Sequence, residues 1–370
     1  MKYVDEFRDG RLARALAAEI GRASQEKESY RLMEFCGGHT HAIARYGLED
    51  LLPGNVRMIH GPGCPVCVLP MGRMDDAIAI ARQPGTILCV YGDLMRVPGS
   101  QGASLWKARA AGADVRMVYA PQDVLSIAEA HPGREVVFFA IGFETTTPPT
   151  ALLAKEARAR GLPNLSIFCN HVMTPPAMRG ILAADALIDG FVGPSHVSTI
   201  IGAAPYEEFS GPSGRPVVIA GFEPVDVLQA ILMLIRQLNE GRSEVENQYK
   251  RAVGRMGNQR ALELMDEVFC IRESFEWRGL GFLPASARAL RPEFAEFDAE
   301  RRFATPGLRA SDNPACECAA ILRGQKQPRE CKLFGGACTP ETPMGSCMVS
   351  SEGACAAHWT YGRFREEALA

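Results

Sequence analysis

Short apolar runs alternate with longer amphipathic segments over most of this chain, and this alternation limits the possible folds more than any other feature. Strand-like runs include VRMIH, TILCV, VVFFAI and LSIFC, each followed closely by Gly, Pro or a polar cluster. Segments with helical spacing, such as MDDAIAIAR and TALLAKEARARG, lie between them. Strand–helix alternation is typical of parallel α/β sheets, whose functional side chains gather where the strands end.

The length of 370 residues and the apolar fraction of 47% are sufficient for more than one core. We predict an N-terminal helix and a first α/β domain over residues 1–120, and a related α/β domain over residues 121–230. Residues 231–370 are predicted to form a third domain that is partly helical and rich in cysteine.

Charge and hydropathy narrow the function classes. The formal net charge is −3, which gives no electrostatic argument for a nucleic-acid partner. The first 25 residues are charged throughout and lack the apolar core of a signal peptide, and no run approaches the length of a membrane span. We therefore expect a cytoplasmic protein with no membrane partner. In a reducing compartment, twelve cysteines indicate metal-binding or redox chemistry rather than structural disulfides. Cys89, in an apolar run, and Cys270, in a helical context, are expected to be ordinary buried residues instead.

The first candidate site is the run CGGHTH, which contains Cys36, His39 and His41. A thiol and two imidazoles separated by Gly-Gly suit a loop that brings soft donors to one point, and both donor types suit iron or zinc. The two glycines also allow backbone amides to approach a small ligand. The alternative is a strand-to-helix turn with incidental histidines, and the pattern favours metal or thiol chemistry.

The second candidate is GPGCPVC, in which Cys64 and Cys67 form a C-x-x-C pair after a strand-like run. Such a pair forms a local disulfide or offers two thiolates to a metal. Two cysteines do not complete a tetrahedral structural zinc site, and with Cys36 they give three thiolates and an open position.

The third candidate is GFETT, where Glu144 and Thr145 follow the strand-like run VVFFAI. A carboxylate and hydroxyls at the end of a strand lie where α/β sites form. A helix N-cap explains a threonine at this point equally well. His171 and His196 also follow strand-like runs and give a weaker signal of the same kind.

The last sixth of the chain holds six cysteines among Gly and Pro, namely Cys316, Cys318, Cys331, Cys338, Cys347 and Cys355. Their spacings are one, twelve, six, eight and seven intervening residues, so neither C-x-x-C knuckle of a zinc ribbon is present. An irregular all-thiolate set favours an iron–sulfur cluster over zinc. Four ligands leave two thiols beside the cluster, as redox exchange with a disulfide requires.

Together, CGGHTH, GPGCPVC, GFETT and the terminal cysteine pattern closely resemble the HypD family of NiFe-hydrogenase maturation factors. The resemblance covers nearly the full length, and the signatures occur in order. It implies two related parallel-sheet α/β domains plus a cysteine-rich, partly helical iron–sulfur domain that holds a 4Fe-4S cluster.

The resemblance also implies a function. Members of the family are scaffolds that assemble the Fe(CN)2CO moiety of the hydrogenase active site with a HypC-type chaperone. Cyanide arrives as a thiocyanate on a HypE-type carrier, with a HypF-type carbamoyl supplier upstream. By this resemblance Cys36 holds the iron, Cys64 and Cys67 are a redox pair beside it, and His39 and His41 shape the site.

Cluster ligands are assigned only through the family's likeness to ferredoxin–thioredoxin reductase. This likeness gives Cys316, Cys331, Cys338 and Cys355 as ligands, with Cys318 and Cys347 as the adjacent thiol pair. The alternative places Cys347 among the ligands instead of Cys316.

Two other functions remain open at this stage. One is a stand-alone iron–sulfur thiol–disulfide oxidoreductase resembling ferredoxin–thioredoxin reductase. The other is a zinc-stabilised α/β binding protein. The sequence leaves open whether the scaffold turns over as an enzyme.

Overall fold

The computed structural model describes residues 4–184, 186–211, 214–305, 307, 310 and 312–362. The strands are β1 (Tyr30–Glu34), β2 (Val56–His60), β3 (Thr86–Val90), β4 (Asp114–Met117), β5 (Glu135–Gly142), β6 (Leu165–His171), β7 (Gly190–Gly193), β8 (Val217–Ile219), β9 (Val245–Asn247), β10 (Phe269–Ile271), β11 (Ser274–Trp277), β12 (Gly281–Pro284) and β13 (Arg288–Leu290).

The α-helices are α1 (Gly10–Ala23), α2 (Gly37–Tyr46), α3 (Pro65–Val68), α4 (Met71–Ala81), α5 (Leu105–Ala110), α6 (Asp123–Ala130), α7 (Thr147–Ala159), α8 (Thr174–Ala183), α9 (Ser195–Ile201), α10 (Pro224–Asn239), α11 (Gln259–Val268), α12 (Ala299–Arg302), α13 (Cys318–Leu322) and α14 (Ala354–Tyr361). Short 3-10 helices span Asp5–Arg8, Ser24–Glu26, Leu48–Leu51, Gly92–Arg96, Ser100–Gly102, Ala204–Phe209, Pro292–Phe297, Pro328–Glu330 and Ser346–Met348. No helix within the described residues is long and apolar enough to cross a membrane.

A five-stranded parallel sheet has the order β2-β1-β7-β8-β9. The chain steps from β1 to β2 on one side, and it returns much later to place β7 on the other side of β1. The strand order therefore reverses between β1 and β7, where connections leave the sheet in opposite directions and open a crevice at the carboxyl ends. The loops after β1 and β7 border this crevice.

A four-stranded parallel sheet has the order β4-β3-β5-β6 and is formed by the chain between β2 and β7. All residues of β3 and β6 are buried, as expected for parallel strands with both faces covered. The predicted parallel α/β class is confirmed. The predicted boundary at residue 120 falls between β4 and β5 of this one sheet, and the domain boundaries stay a prediction.

Alternation along β1 separates the two cores of the five-stranded sheet. Leu32 packs with Leu228 and Ile231 of α10, whereas Met33 packs on the opposite face with Phe191 and its neighbours. Successive strand residues point to opposite faces, so a single strand serves both cores. This arrangement fixes the register of β1 and hence the position of the residues that follow it.

Cys270 corrects one sequence-based expectation. The sequence predicts a helical setting and full burial for this cysteine, but it lies half-buried in β10, opposite Ala289 of β13. Helix α11 ends at Val268, and antiparallel pairing with β13 determines the conformation beyond it. Cys89, by contrast, is a fully buried core residue of β3, as expected.

Residues 313–362, here called the cysteine module, pack against the α/β body rather than standing apart. Cys318, Cys347 and Cys355 belong to the same hydrophobic core as Cys64 and Cys67. The cysteine-rich region predicted from the sequence therefore shares its core with the second candidate motif.

Candidate functional site

Cys36 is buried at the point where β1 passes directly into α2. It is the N-cap residue of α2, and its backbone N–H donates to Glu34 Oε2 over 2.9 Å. Its Sγ lies 4.0 Å from Nδ1 of His196, which follows β7. The thiol and the imidazole thus meet across the crevice where the strand order reverses, a usual position for ligands in open α/β sheets.

Gly37 and Gly38 leave room for groups from distant parts of the chain. A Cβ atom on Gly37 would lie 2.5 Å from Glu352 Cβ, and one on Gly38 would lie 2.9 Å from Phe222 Cδ1 and nearer still to its Cε1. These separations are too short for non-bonded carbon atoms. Glycine is therefore needed at both positions for the cysteine module and the loop after β8 to reach Cys36.

His39 is fixed as a neutral imidazole. Its Nε2–H lies 3.1 Å from the Ala220 carbonyl oxygen and 3.0 Å from that of Gly221, so this nitrogen carries the proton. Its Nδ1 is buried and has no hydrogen-bond partner among the described residues. Burial lowers the pKa of His39, which keeps the lone pair of Nδ1 free at neutral pH.

Phe222 connects the two histidines near Cys36. Its ring centroid lies 5.0 Å from that of His39 and 4.2 Å from that of His196. Burial lowers the pKa of His196, so it too is neutral near pH 7. The immediate surroundings of the thiol are therefore aromatic and uncharged on this side.

His41 faces a different direction from His39. Two residues along a helix rotate a side chain by about 200°, so both imidazoles of CGGHTH do not reach one point. His41 instead meets Tyr361 of α14, with 3.5 Å between His41 Nε2 and the Tyr361 hydroxyl. The structure places His39 near Cys36 and His41 at the contact with the cysteine module.

A buried carboxylate, that of Glu34, holds the backbone of the Cys36 turn in place. Glu34 is fully buried, accepts from Cys36 N and from the Thr40 hydroxyl, and pairs with His60 Nδ1 at 3.0 Å. Burial acts to lower the pKa of His60, but the hydrogen bond and charge of Glu34 raise it above its ordinary value. This network fixes the backbone on which the thiol is mounted.

A second carboxylate approaches Cys36 from the cysteine module. Glu352 lies against Gly37, and burial together with Asp93 and Glu34 raises its pKa. The pKa of Cys36 is raised to about 12, first by burial and then by the charge of Glu352. Without a metal, Cys36 is a protonated thiol beside a group that can accept its proton.

Cys64 and Cys67 form a disulfide at the start of α3, with 5.2 Å between their Cα atoms. The loop before them lies against the Cys36 loop, where Gly37 N donates to the Gly63 carbonyl over 3.2 Å. The sequence left a disulfide and a thiolate pair open, and the structure shows the disulfide. It also brings the first two candidate motifs together.

The six cysteines of the module line one cavity with the apolar side chains of Ile321, Leu333, Phe334 and Met348. Three of these thiols influence one another's pKa in the order Cys316, Cys318 and Cys347. The pKa of Cys347 is raised: the hydrogen bond from Cys318 lowers it, but burial and Cys355 outweigh that effect. No group of three or more ligating side chains is drawn together at metal-binding spacing within the described residues.

The module is hydrogen-bonded to the backbone of the disulfide segment. Ser346, which precedes Cys347, donates through Oγ to the Cys67 carbonyl over 3.0 Å. At the end of the same helix, α3, Arg278 N donates to the Val68 carbonyl over 2.8 Å. The Cys36 turn, the disulfide and the six-cysteine cavity therefore form one continuous region.

Glu144 is buried at the end of β5 and accepts from Thr174 N and from Thr174 Oγ1, at 2.9 and 3.1 Å. Burial raises its pKa. These bonds satisfy the amino end of α8, which is a structural role. Thr145 is half-buried in the turn that follows, and a functional role for either residue stays a prediction.

Sequence reasoning missed Glu34, His60 and Glu352. Glu34 did carry a signal, because a carboxylate inside the apolar run YRLMEF is expected to have a buried partner. Glu352 carried none, since only the packing of the cysteine module on α2 brings it to Gly37. His196 had a weak signal as a lone histidine after a strand.

The family model described as "HypD: Hydrogenase formation hypA family" matches residues 11–362. The chain belongs to the HypD family. Among named HypD proteins, the hydrogenase maturation factor HypD2 of Bradyrhizobium diazoefficiens is 66% identical, with 99% of this chain and 98% of the relative covered.

More distant HypD relatives also match along their whole length. Hydrogenase maturation factor HypD of Azotobacter vinelandii is 63% identical, covering 100% of this chain and 99% of the relative. That of Escherichia coli is 47% identical, covering all of both chains. The HypD resemblance drawn from the motifs is thus confirmed.

Proposed function

We propose that this chain is a hydrogenase maturation scaffold on which the Fe(CN)2CO moiety is assembled at Cys36. The observation that carries the proposal is the convergence of three separate motifs. Cys36 faces His196 across the crevice, the Cys64–Cys67 disulfide lies behind it, and Glu352 of the cysteine module approaches it. The named relatives are hydrogenase maturation factors, which supports the same role here.

Cys36 has the surroundings that an iron carrying cyanide and carbonyl ligands requires. Thiolate is a soft ligand that suits low-spin iron, and the iron is the cargo of the scaffold rather than a resident group. When Cys36 binds iron it loses its proton, and Glu352, whose pKa is raised, is placed to accept it. We propose that the iron is shared with a HypC-type chaperone.

Cyanide transfer from a thiocyanate carrier requires two electrons. We propose that reduced Cys64 and Cys67 supply them: the carrier's S–CN bond breaks, cyanide binds the iron, and the two thiols form the disulfide. One of their two protons goes to the carrier sulfur and the other is released, so charge and atoms balance. The Cys64–Cys67 disulfide of this structure is consistent with the product of that step.

The cysteine module would restore the pair. Six thiols around one apolar cavity fit a 4Fe-4S cluster by donor type and number, with Cys316, Cys331, Cys338 and Cys355 proposed as ligands. When bound, such a cluster supplies electrons one at a time. The free thiols of Cys318 and Cys347 would reduce the Cys64–Cys67 disulfide by exchange and become a disulfide themselves, which two electrons and two protons would then reduce again. The hydrogen bond from Ser346 to the Cys67 carbonyl supports this route.

Replacing Cys36 with Ala tests the scaffold function. We expect the infrared bands of iron-bound cyanide and carbonyl to disappear from the complex with a HypC-type chaperone, because the iron loses its protein thiolate. Cys89→Ala is the matched control, since it removes a buried thiol from the other sheet and should leave the bands in place. Undiminished bands in Cys36→Ala would remove the basis of the proposal.

A stand-alone thiol–disulfide oxidoreductase is the second candidate, favoured by the contact between the cysteine module and the disulfide. It requires catalytic disulfide reduction by protein that carries no iron beyond the cluster. Metal analysis combined with infrared spectroscopy of anaerobically purified protein separates the two functions. It also separates both from a zinc-stabilised binding protein.

A further inference from the structure

The tip of the β11–β12 hairpin lies between the disulfide helix and the cysteine module. Arg278 N donates to Val68 at the end of α3, and Gly279 accepts from Arg323 Nη1 over 2.9 Å just after α13. Gly279 has φ of +82°, and a Cβ there would lie 3.0 Å from Ala319 Cα. The hairpin tip therefore packs directly on α13, which begins at Cys318.

Arg278 is an unusually buried and incompletely paired cation. Its side chain is 2% exposed, and Nε donates to Asp312 Oδ1 over 2.8 Å. Its Nη1 has no acceptor among the residues that the structure describes. Asp312 is 36% exposed, so water screens its carboxylate. The donors of a buried guanidinium are normally all hydrogen-bonded. The unpaired Nη1 of Arg278 therefore calls for an explanation.

The charge of Arg278 acts on the cysteine module. Gly279, next to Arg278, lies against Ala319, next to Cys318, so the buried charge of Arg278 is held at the start of α13, beside a residue that lines the six-cysteine cavity. Asp312, which accepts from the guanidinium, carries the opposite charge four residues before Cys316. A fixed cation in a dry interior interacts with nearby charge several times more strongly than it would in water.

We propose that Arg278 is a positioning residue of the cysteine module, the buried counter-charge for its thiolates when they hold an iron–sulfur centre. This inference rests on the cofactor part of the proposed function. Thiolate-ligated iron–sulfur clusters change potential with net charge, burial and hydrogen bonds to sulfur. Each electron added increases the negative charge, so a fixed cation nearby favours the reduced state.

The test is a potentiometric titration of the full chain, reconstituted anaerobically with ferrous iron and sulfide and followed by electron paramagnetic resonance. Arg278→Gln should shift the midpoint potential of the centre to a more negative value. Asp312→Asn removes the opposing charge from a partly exposed position, and it should shift the potential the opposite way. Arg278→Lys keeps the charge and should retain most of the wild-type value.

Arg288→Gln is the matched control, because Arg288 is also buried with one unpaired nitrogen but contacts Asp266 instead. Opposite shifts in Arg278→Gln and Asp312→Asn support the counter-charge, since loss of structure alone does not change sign between them. Unchanged potentials, or shifts of one sign matching Arg288→Gln, overturn it. Failure of the wild-type chain to form a centre overturns the cofactor proposal and this inference together, while leaving the Cys36 infrared test intact.

Discussion

The neighbours of Cys36 keep its thiol protonated and place no positive charge beside it. Burial and Glu352 hold its pKa at about 12, so the thiol is protonated and weakly reactive until a metal competes for the sulfur. Two neutral histidines add no charge that would release the proton earlier. The residue is therefore protected from adventitious oxidation by its own surroundings.

Gly38→Ala tests whether the position of Phe222 between the histidines matters. The added Cβ overlaps the Phe222 ring, so the ring must leave its place between His39 and His196. We expect a loss of about 1–3 kcal/mol in the free energy of unfolding, the usual range for overpacking. Urea unfolding measures it, and the iron-cyanide bands should weaken in parallel.

Gly21→Ala is the control for that substitution. Gly21 lies in α1 with no atom within 4 Å of an added Cβ, so alanine should stabilise the helix by about 0.5–1 kcal/mol. Equal unfolding free energies for Gly38→Ala and wild type would contradict the close packing described for Phe222.

Local pattern identified candidate site cysteines because thiols in glycine-rich loops after strands carry their own signal. Cys36, Cys64 and Cys67 were all placed by such patterns, and the structure brings their loops together. Glu34 and Glu352 were not found. Their roles depend on which segments pack against each other, and residue spacing does not contain that information.

At the scale of the elements, the start of α10 shapes the loop that contacts His39. Glu223 is the N-cap, and Asp226 accepts from Glu223 N in a capping box. Fully buried Asp226 also forms a two-point ion pair with Arg251, at 2.8 and 2.5 Å. One side chain thus fixes both the helix end and the Gly221–Phe222 turn before it.

Asp226→Ala should therefore be strongly destabilising. Removing the carboxylate leaves the partly buried Arg251 guanidinium unpaired, a change that typically costs about 3–5 kcal/mol. Denaturant unfolding measures the loss. Arg236→Ala on the same helix removes only an exposed pair with Glu19, and it should cost less than about 1 kcal/mol. Similar losses in the two variants would argue against this role for Asp226.

The elements themselves were largely predictable, because apolar runs of strand length and amphipathic helices have different periods. The order of the strands was not. The sequence gives no sign that β7 lies beside β1, and the crevice at Cys36 exists only because of that pairing. Cys270 was misplaced for the same kind of reason, since its conformation follows from β13.

At the scale of the whole molecule, Glu352 gives the cysteine module an electrostatic influence on Cys36. Glu352→Gln preserves the shape of the side chain and removes its charge, so the pKa of Cys36 should fall. We expect the rate of Cys36 alkylation at pH 9 to rise about 3- to 10-fold, since one pKa unit changes the thiolate fraction tenfold. Mass spectrometry of the alkylated peptide gives the rate.

Glu317→Gln serves as the comparison, because Glu317 is in the same module but pairs with Lys326. In the Glu317→Gln variant, the rate of Cys36 alkylation should equal that of the wild-type chain. If Glu352→Gln also behaves like wild type, the module does not influence the Cys36 thiol through this carboxylate.

The long chain segment between β2 and β7, which forms the four-stranded sheet, affects the order in which the site is synthesised. A ribosome delivers β1 and Cys36 early, but the neighbouring strand β7 emerges only after the entire four-stranded sheet. Glu352, which covers Gly37, emerges later still. The nascent chain therefore carries Cys36 without these neighbours until residue 352 has emerged, so the site closes only after both α/β sheets have been synthesised.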